Sequence, residues 1–208
     1  MRKIVIACDS YKGCLSSSDV ANAAARGVAE VYPDCEVVKL AVADGGEGTV
    51  EALVDTLGGH LEWAEVSDPL GRPVKAAYGV AGDLAIIESA AACGLTLLTK
   101  EERNPLVTST KGLGELIMAA IDKGCRKFLI GLGGSATNDG GMGMLQALGY
   151  GFLDKEGKQV PFGARGLEVL EEITDTYVLP ELAECEFRVA CDVTNILCGG
   201  EGCSAVFG

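Results

Sequence analysis

Apolar and polar residues alternate in blocks along the chain, and the first blocks predict two strand–helix units. A continuous apolar run at residues 4–8 is typical of a strand buried on both faces of a parallel sheet, and residues 37–42 form a second strand. Each strand is followed by apolar residues at helical spacing, over 20–31 and 50–57. Three serines at 16–18 offer N-caps for the first helix. This strand–helix–strand–helix order predicts an α/β protein.

The middle of the chain has a different pattern. Short apolar segments at 61–66, 74–80 and 84–87 are separated by turn signals, which indicates an antiparallel patch. The patch is either an excursion from the sheet or the start of a second domain. Beyond it the pattern predicts further elements: a helix at 109–124, a strand at 128–130, a helix containing Met144, Leu145 and Leu148, and a strand at 187–191.

Charge and hydrophobicity exclude several classes of protein. Lys and Arg number 17 and Asp and Glu number 30, which gives a formal net charge of −13. Because nucleic-acid binding needs surplus positive charge, no nucleic-acid partner is expected. Hydrophobic residues make up 48% of the chain, which is enough for a core and excludes disorder. No apolar run approaches the roughly 18 residues of a membrane span and no signal peptide is recognisable, so a cytoplasmic protein without a membrane partner is expected.

The cysteines and the one histidine limit the chemistry. Nine cysteines, an odd number without a CxxC pair, are expected to be reduced thiols used as small core residues. Cys191, Cys198 and Cys203 form a loose cluster whose spacing does not favour a metal site. His60 is the only histidine, so multi-histidine metal sites are excluded.

Four predicted strands end in polar, mostly glycine-rich loops, at 9–13, 44–48, 131–141 and 192–195. If these strands are parallel neighbours, their loops converge on one crevice, where α/β sheets bind ligands. Three loops begin with Asp, and the third carries the pair Asn138–Asp139. Carboxylates gathered without a histidine cluster indicate Mg²⁺ between them. The alternative for each carboxylate is a local role, capping a turn or complementing a helix N-terminus.

The glycine loops suit phosphate, because backbone N–H groups can approach it where no Cβ intervenes. The turn at 133–135 is the best candidate and the turn at 45–46 is second, although neither matches GxxxxGK[ST]. Lys12 lies in a strand-end loop of a chain short of positive charge, where an ammonium could neutralise a transferring phosphoryl group. Its alternative is an ordinary surface lysine. Together the loops favour phosphoryl transfer.

Five segments carry a resemblance to a known family. They lie at residues 9–13, 43–49, 103–106, 131–141 and 191–195, where the sequence reads DSYKG, ADGGEGT, RNPL, GLGGSATNDGG and CDVTN. Taken in order, they resemble the bacterial glycerate kinase family of the glycerate 2-kinase type. The match runs along essentially the whole chain, which makes it more specific than any single glycine loop.

The resemblance implies a fold and an activity. The activity is the phosphorylation of D-glycerate by ATP, with Mg²⁺, typically giving 2-phosphoglycerate. The fold is a two-domain α/β glycerate-kinase-like fold, with a flavodoxin-like parallel sheet, a second α/β domain and the active site in the cleft between them. Residues 1–60 are then the first segment of the flavodoxin-like domain, and 61–208 the remaining α/β region with part of the second domain. Family members continue beyond Gly208, so the chain corresponds to their N-terminal portion.

The motif match also implies a set of site residues. Lys12 and Asp192 are the expected catalytic pair, and we assign charge neutralisation to Lys12 and proton abstraction from the glycerate hydroxyl to Asp192. Substrate and phosphate binding is expected at Asp9, Ser10, Asp44, Gly45, Gly46, Glu47, Gly133, Gly134, Ser135, Asn138 and Asn195. Asp44 and Asp192 are the expected metal ligands.

Some positions depart from the family pattern, and other functions stay open. Tyr11 replaces a usual Phe, Cys14 a usual Ser and Ile196 a common Pro, while Lys111 stands at a usually aromatic position and is not expected to be catalytic. One alternative function is a nicotinamide oxidoreductase, whose acidic residue would be sought near 154–156. The other is a shortened ligand-binding module without turnover. The sequence leaves open whether the protein forms a homodimer.

Overall fold

Strands and helices alternate along the chain in a mixed α/β arrangement. The computed structural model describes residues 3–9, 11, 14–42, 45–46, 48–191 and 193–207. The strands are β1 (Lys3–Cys8), β2 (Glu36–Ala41), β3 (His60–Ser67), β4 (Pro73–Ala81), β5 (Leu84–Glu88), β6 (Lys127–Gly131), β7 (Gly151–Leu153), β8 (Glu172–Thr174) and β9 (Glu186–Ala190). The α-helices are α1 (Ser17–Val31), α2 (Thr49–Leu57), α3 (Ala90–Cys93), α4 (Lys111–Asp122), α5 (Met142–Ala147) and α6 (Cys203–Val206).

The described strands form three sheets. β1 and β2 are a parallel pair, and β7 and β8 a short antiparallel pair. The large sheet has the order β3-β4-β5-β6-β9. Its first three strands are antiparallel, and β6 and β9 extend it in parallel from β5. The predicted antiparallel patch is therefore confirmed, and it is continuous with the parallel strands.

Two expectations about the first strand are wrong. The four strands with converging loops are not neighbours in one sheet, because β1 and β2 pair with each other while β6 and β9 belong to the large sheet. Nor is β1 buried on both faces: its side chains alternate between exposed and half-buried, and Val5 is 54% exposed. The main contacts of β1 are with β2 and α1, so the helix covers only part of an apolar strand.

The main core lies between the large sheet and α4. Leu113, Leu116, Ile117 and Ala120 of this helix are buried against strand residues such as Tyr78. Their spacing is that of one helical face, as the sequence predicted. A smaller cluster on the opposite face packs α2 against β5 through Val50, Val54 and Ile86. The two helices therefore sandwich the sheet and fix the loops at its ends.

Local signals set the helix ends. Ser16 caps α1 by accepting a hydrogen bond from Asp19 N at 3.1 Å, as predicted. α2 ends where Gly58 adopts a left-handed conformation, with φ 65°, which suits a residue without a Cβ. None of the helices in the described part of the chain has the length and apolar character needed to cross a bilayer.

The cysteines are all free thiols, but only some are core residues. Cys93 and Cys125 are fully buried, and burial raises the pKa of the Cys93 thiol to about 12. Cys14, Cys191 and Cys198 are exposed, so the expectation that the cysteines serve as core residues holds only in part.

Candidate functional site

The carboxyl ends of three parallel strands lie side by side. Glu88 at the end of β5 is the register partner of Gly131 in β6, and Gly131 is the partner of Ala190 in β9. Loops that follow parallel strands are where open α/β sheets bind ligands. We take this edge of the large sheet, with the loops that reach it, as the candidate site and call it the carboxyl edge.

The turn at Gly45–Gly46, which follows β2 of the other sheet, packs on the carboxyl edge. Gly133 N donates a hydrogen bond to Gly45 O at 3.2 Å. A Cβ placed on Gly133 would lie 2.6 Å from Gly46 Cα, and one on Gly45 would lie 2.6 Å from Ala190 O. Backbones approach this closely only where glycines meet. The loops after β2 and β6 are therefore in direct contact, beside the end of β9.

The turn at Gly134–Ser135 has the features of an anion cradle. Gly134 has a φ of 71°, and its carbonyl accepts a hydrogen bond from Leu95 N at 3.0 Å. Ser135 Oγ is 2.9 Å from Ser89 Oγ, at the start of the loop after β5. The N–H groups of Gly134 and Ser135 donate to no acceptor among the described residues. Free N–H groups in such a turn can bind an oxyanion.

Asn138 and Asn195 are linked through the last helix of the chain. Ser204 Oγ donates to Asn138 Oδ1 at 3.0 Å. Asn195 Nδ2 donates to Glu201 O at 2.8 Å, and Asn195 O lies 3.6 Å from Cys203 Sγ. The loops after β6 and β9 therefore meet at residues 201–204.

Asp139 is buried, and helix N–H groups already engage its carboxylate. It is 1% exposed, and its two oxygens accept hydrogen bonds from Thr110 N, Thr110 Oγ1, Gly141 N and Gly143 N at 2.9 to 3.2 Å. The N–H groups come from the starts of α4 and α5. Asp139 is thus the anchor that fixes the glycine loop to these helices.

Glu88 fills a position that the sequence assigned to phosphate. Its Oε1 accepts a hydrogen bond from Val50 N, in the first turn of α2, at 2.9 Å. Burial raises the pKa of the Glu88 carboxyl, while the N–H groups of Val50, Thr49 and Gly48 act in the opposite direction. Because a carboxylate of the protein already occupies this helix N-terminus, a phosphate bound at the Gly45–Gly46 turn would not be held by Val50 N.

Two arginines lie near the loops and differ in their partners. Arg72 is held by Asp68 at 2.6 Å and by Glu102 at 2.7 Å. Arg103 Nη2 donates to Leu95 O at 3.3 Å and forms no ion pair with a carboxylate of the described ranges. Leu95 N in turn binds the carbonyl of Gly134. Arg103 thus places positive charge close to the anion cradle.

Several predicted site residues lie outside the described residues. These are Ser10, Lys12, Asp44, Glu47 and Asp192, which include the catalytic pair and both expected metal ligands. Asp9 is described and exposed, directly after β1, and the carboxyl end of β1 lies beside that of β2. The roles of all six residues stay predictions.

The described residues do not by themselves make a metal centre. Within those ranges no group of three or more His, Cys, Asp or Glu side chains could hold an ion together. At the carboxyl edge, Glu88 and Asp139 already accept hydrogen bonds from helix N–H groups. A Mg²⁺ site here would therefore draw on the oxygen ligands predicted at Asp44 and Asp192.

The end of β5 belongs to the candidate site but is not among the loops that the sequence predicted for it. Glu88 and Ser89 follow the apolar run at 84–87, just as Asp192 follows the strand predicted at 187–191. The run was predicted to be an antiparallel strand, and the rule that ligands bind at strand ends applies to parallel strands. The signal was the same strand-end rule that identified the other loops.

The chain is similar in sequence to known proteins. The family model described as "Glycerate kinase family" matches residues 4–208. The chain is 50% identical to glycerate 2-kinase of Escherichia coli (strain K12) over 208 residues, which are 99% of this chain and 55% of that protein. It is 51% identical to glycerate kinase of Haemophilus influenzae, again covering 99% of this chain and 55% of that protein. The chain thus spans about half the length of the curated relatives it matches.

A solved structure gives the same fold. The crystal structure of "putative glycerate kinase 2" from Salmonella typhimurium LT2 superposes with a TM-score of 0.91 at 50% sequence identity. The superposition covers 100% of this chain and 57% of that chain. The mixed α/β architecture described above is therefore the fold of the corresponding part of that protein.

Proposed function

Because this chain belongs to the glycerate kinase family, we propose that the complete protein containing it phosphorylates D-glycerate with ATP and releases 2-phosphoglycerate. The observation that carries the proposal is the contact between the Gly45–Gly46 turn and Gly133 at the carboxyl edge. This contact joins two motifs of the resemblance, and it lies next to the anion cradle at Gly134–Ser135. Phosphoryl transfer depends mainly on positioning and charge stabilisation, which such loops can supply.

The proposed roles follow the sequence-based assignments. Asp192 takes the proton of the glycerate hydroxyl, whose oxygen attacks the γ-phosphorus of ATP while the bond to the bridging oxygen breaks and ADP leaves. Lys12 neutralises charge that develops on the transferred phosphoryl group. Mg²⁺, held by Asp44 and Asp192, would balance the charge of the ATP phosphates.

The binding residues are proposed on the same grounds. Gly134 and Ser135 offer backbone N–H groups and a hydroxyl to phosphate, Gly133 holds this turn in place through its hydrogen bond to Gly45 O, and Arg103 adds nearby positive charge. The remaining proposed contacts to glycerate and ATP are Asp9, Ser10, Asp44, Gly45, Gly46, Glu47, Asn138 and Asn195.

A coupled ADP-release assay on the complete protein, with glycerate and ATP, tests the activity, and phosphorus NMR identifies the product. Lys12→Ala and Asp192→Asn are each expected to lower kcat about 100-fold or more. Lys123→Ala and Asp83→Asn are the matched controls, because these residues form exposed ion pairs with Glu62 and Lys127.

Three results would contradict parts of the proposal. Inactivity of the wild-type protein on glycerate removes the substrate assignment. Unchanged kcat in both active-site variants removes the role assignment. Ligand-dependent melting without any turnover would support the alternative of a binding module.

The nicotinamide alternative finds no support at its expected acidic residue. The Asp154 carboxylate accepts hydrogen bonds from Glu156 N at 2.8 Å and from Lys158 N at 3.0 Å, within its own turn. It closes this turn after β7 and is engaged locally.

The location and assembly of the protein are also carried forward as proposals. We place the protein in the cytoplasm, with glycerate and a nucleotide as its small-molecule partners and no nucleic-acid or membrane partner. A homodimer is tested by sedimentation velocity of the complete protein.

A further inference from the structure

The N-terminus of α2 is capped from a distant strand. Gly48, the residue before the helix, has a φ of 92° and contributes no side-chain cap. Glu88 supplies the missing acceptor, 38 residues away in sequence, through the 2.9 Å bond from Val50 N to Oε1. A carboxylate at this place complements both the unpaired N–H groups and the positive end of the helix dipole.

The same residue belongs to the carboxyl edge through its backbone. Glu88 is the last residue of β5 and is paired with Gly131 of β6. Ser89 N donates to Gly131 O at 2.8 Å directly after it. One side chain therefore connects the start of α2 to the end of the large sheet.

The Gly45–Gly46 turn lies between these two attachment points. Thr49 Oγ1, at the first position of α2, donates to Gly46 O at 2.7 Å. On its other side, the turn accepts the hydrogen bond from Gly133 N at Gly45 O. Any movement of the α2 N-terminus is therefore transmitted to the contact between the two glycine loops.

We propose that Glu88 is a positioning residue, which holds the N-terminus of α2 so that the Gly45–Gly46 turn stays against the Gly131–Gly133 segment when substrate binds. The proposal rests on the proposed function, because it names a residue that orders the same site. As an internal anion, Glu88 also excludes phosphate from the α2 N-terminus and leaves the Gly134–Ser135 turn as the place for an oxyanion.

The positioning role needs a hydrogen-bond acceptor at residue 88 and does not need its charge. Burial raises the pKa of the Glu88 carboxyl, so keeping a charged acid here costs free energy of folding. Glutamine could accept the same hydrogen bond without that cost. Glu88→Gln therefore separates the position of the acceptor from the charge of the acid.

The kinetic test uses the complete protein and four variants. Glu88→Ala is expected to lower kcat/KM about 100-fold, since a loop displaced by about 1 Å misaligns bound substrate. Glu88→Gln keeps an acceptor for Val50 N and is expected to stay within about threefold of wild type. Glu51→Ala and Glu51→Gln are the matched controls, because Glu51 lies exposed in the first turn of the same helix.

Chemical rescue separates positioning from mere structural support. In Glu88→Ala, formate can enter the space left by the side chain and accept the hydrogen bond from Val50 N. Added formate is therefore expected to raise kcat/KM of this variant about tenfold. It should leave wild type and both Glu51 variants unchanged.

Hydrogen exchange gives a readout that needs no activity. In the complete protein, the amides of residues 48–50 are expected to exchange at least about tenfold faster in Glu88→Ala, and formate should slow them again. A wild-type protein inactive on glycerate would remove the proposed function, yet this exchange result would still decide the role of Glu88.

Three outcomes would overturn the proposal. Glu88→Ala with unchanged kcat/KM shows that the contact does not order the site. Equal losses in Glu88→Gln and Glu88→Ala without formate rescue show that the acid acts directly on substrate. Unchanged exchange at residues 48–50 shows that Glu88 does not hold the helix.

Discussion

Asp139 in the loop after β6 and Glu88 at the end of β5 are both carboxylates at the carboxyl edge, and both accept hydrogen bonds from backbone N–H groups at helix starts. Asp139 is fully enclosed and accepts from donors in α4 and α5 with both oxygens. Glu88 is half-buried and uses one oxygen on α2, within the contact region of the glycine loops. The first therefore stabilises the loop itself, and the second determines where a neighbouring loop lies.

Replacing Asp139 with alanine is expected to destabilise the chain by about 3 kcal/mol or more, because it leaves several buried donors without acceptors. Asp139→Asn keeps one carbonyl oxygen and is expected to cost less. Urea unfolding of the two variants and wild type measures the difference. A loss below about 1 kcal/mol for the alanine variant would contradict the anchoring role.

The raised pKa of Glu88 predicts a pH-dependent stability. The folded state binds this proton more tightly than the unfolded state, where the carboxyl has its ordinary pKa near 4.5. The resulting stabilisation is complete below that value and is lost as pH rises through the folded pKa. Glu88→Gln is therefore expected to have a higher Tm than wild type at about pH 7–8. This difference in Tm should shrink as the pH falls toward 4.5.

Thermal melts of wild type and Glu88→Gln across this pH range measure the effect. Glu30→Gln is the control and should show no such trend, since Glu30 is exposed on α1, away from Glu88, whereas the charge of Glu51 itself contributes to the raised pKa of Glu88. A Tm difference that stays constant with pH would show that the Glu88 carboxyl is not responsible.

At the level of the elements, local patterns predicted what each segment forms but not where it pairs. α4 is a helix with one apolar face in both the sequence and the structure, because that face depends only on spacing. The partners of a strand depend on distant segments instead. β5 was grouped with the antiparallel strands, yet it also pairs in parallel with β6. The sequence therefore did not predict its carboxyl end, which includes Glu88, as part of the site.

The two glycine loops at the carboxyl edge can be tested as a unit. Gly133→Ala places a Cβ 2.6 Å from Gly46 Cα, so the loops must separate. We expect a loss of about 1–3 kcal/mol in the free energy of unfolding, as for other overpacked sites. Urea unfolding measures it, and stability equal to wild type would show that the loops are not in tight contact.

Gly27→Ala is the matched control for this change. Gly27 lies on the exposed side of α1, and nothing lies within 4 Å of its added Cβ. Alanine is expected to stabilise the helix by about 0.5–1 kcal/mol. The change from glycine to alanine is therefore expected to lower the free energy of unfolding where two loops approach closely and to raise it on a free helix face.

At the scale of the whole molecule, large apolar side chains remain exposed on β1, β2 and β9. Val5 of β1 is 54% exposed and Leu40 of β2 is 46% exposed, while Phe187 and Val189 of β9 are 41% and 57% exposed. Exposed apolar side chains on a strand are where further protein can pack. The chain spans about half the length of its curated relatives, whose remaining residues are the natural candidates for this cover.

The sequence could predict the loops of the site but not this uncovered surface. A continuous apolar run at 4–8 predicts a strand that is buried on both faces, whereas Val5 is exposed in the structure. Which segment buries it is a property of residues far away in sequence.

Val5→Lys tests this interpretation in two proteins, the 208-residue chain and a protein continued to the length of its relatives. In the shorter chain the charge points into water, and we expect a change of less than about 0.5 kcal/mol in the free energy of unfolding. In the longer protein the ammonium would be buried against apolar partners, so a loss of about 2 kcal/mol or more is expected. Val31→Lys, at an exposed helix end, should be neutral in both. Equal effects of Val5→Lys in the two proteins would show that this face of β1 stays open to solvent.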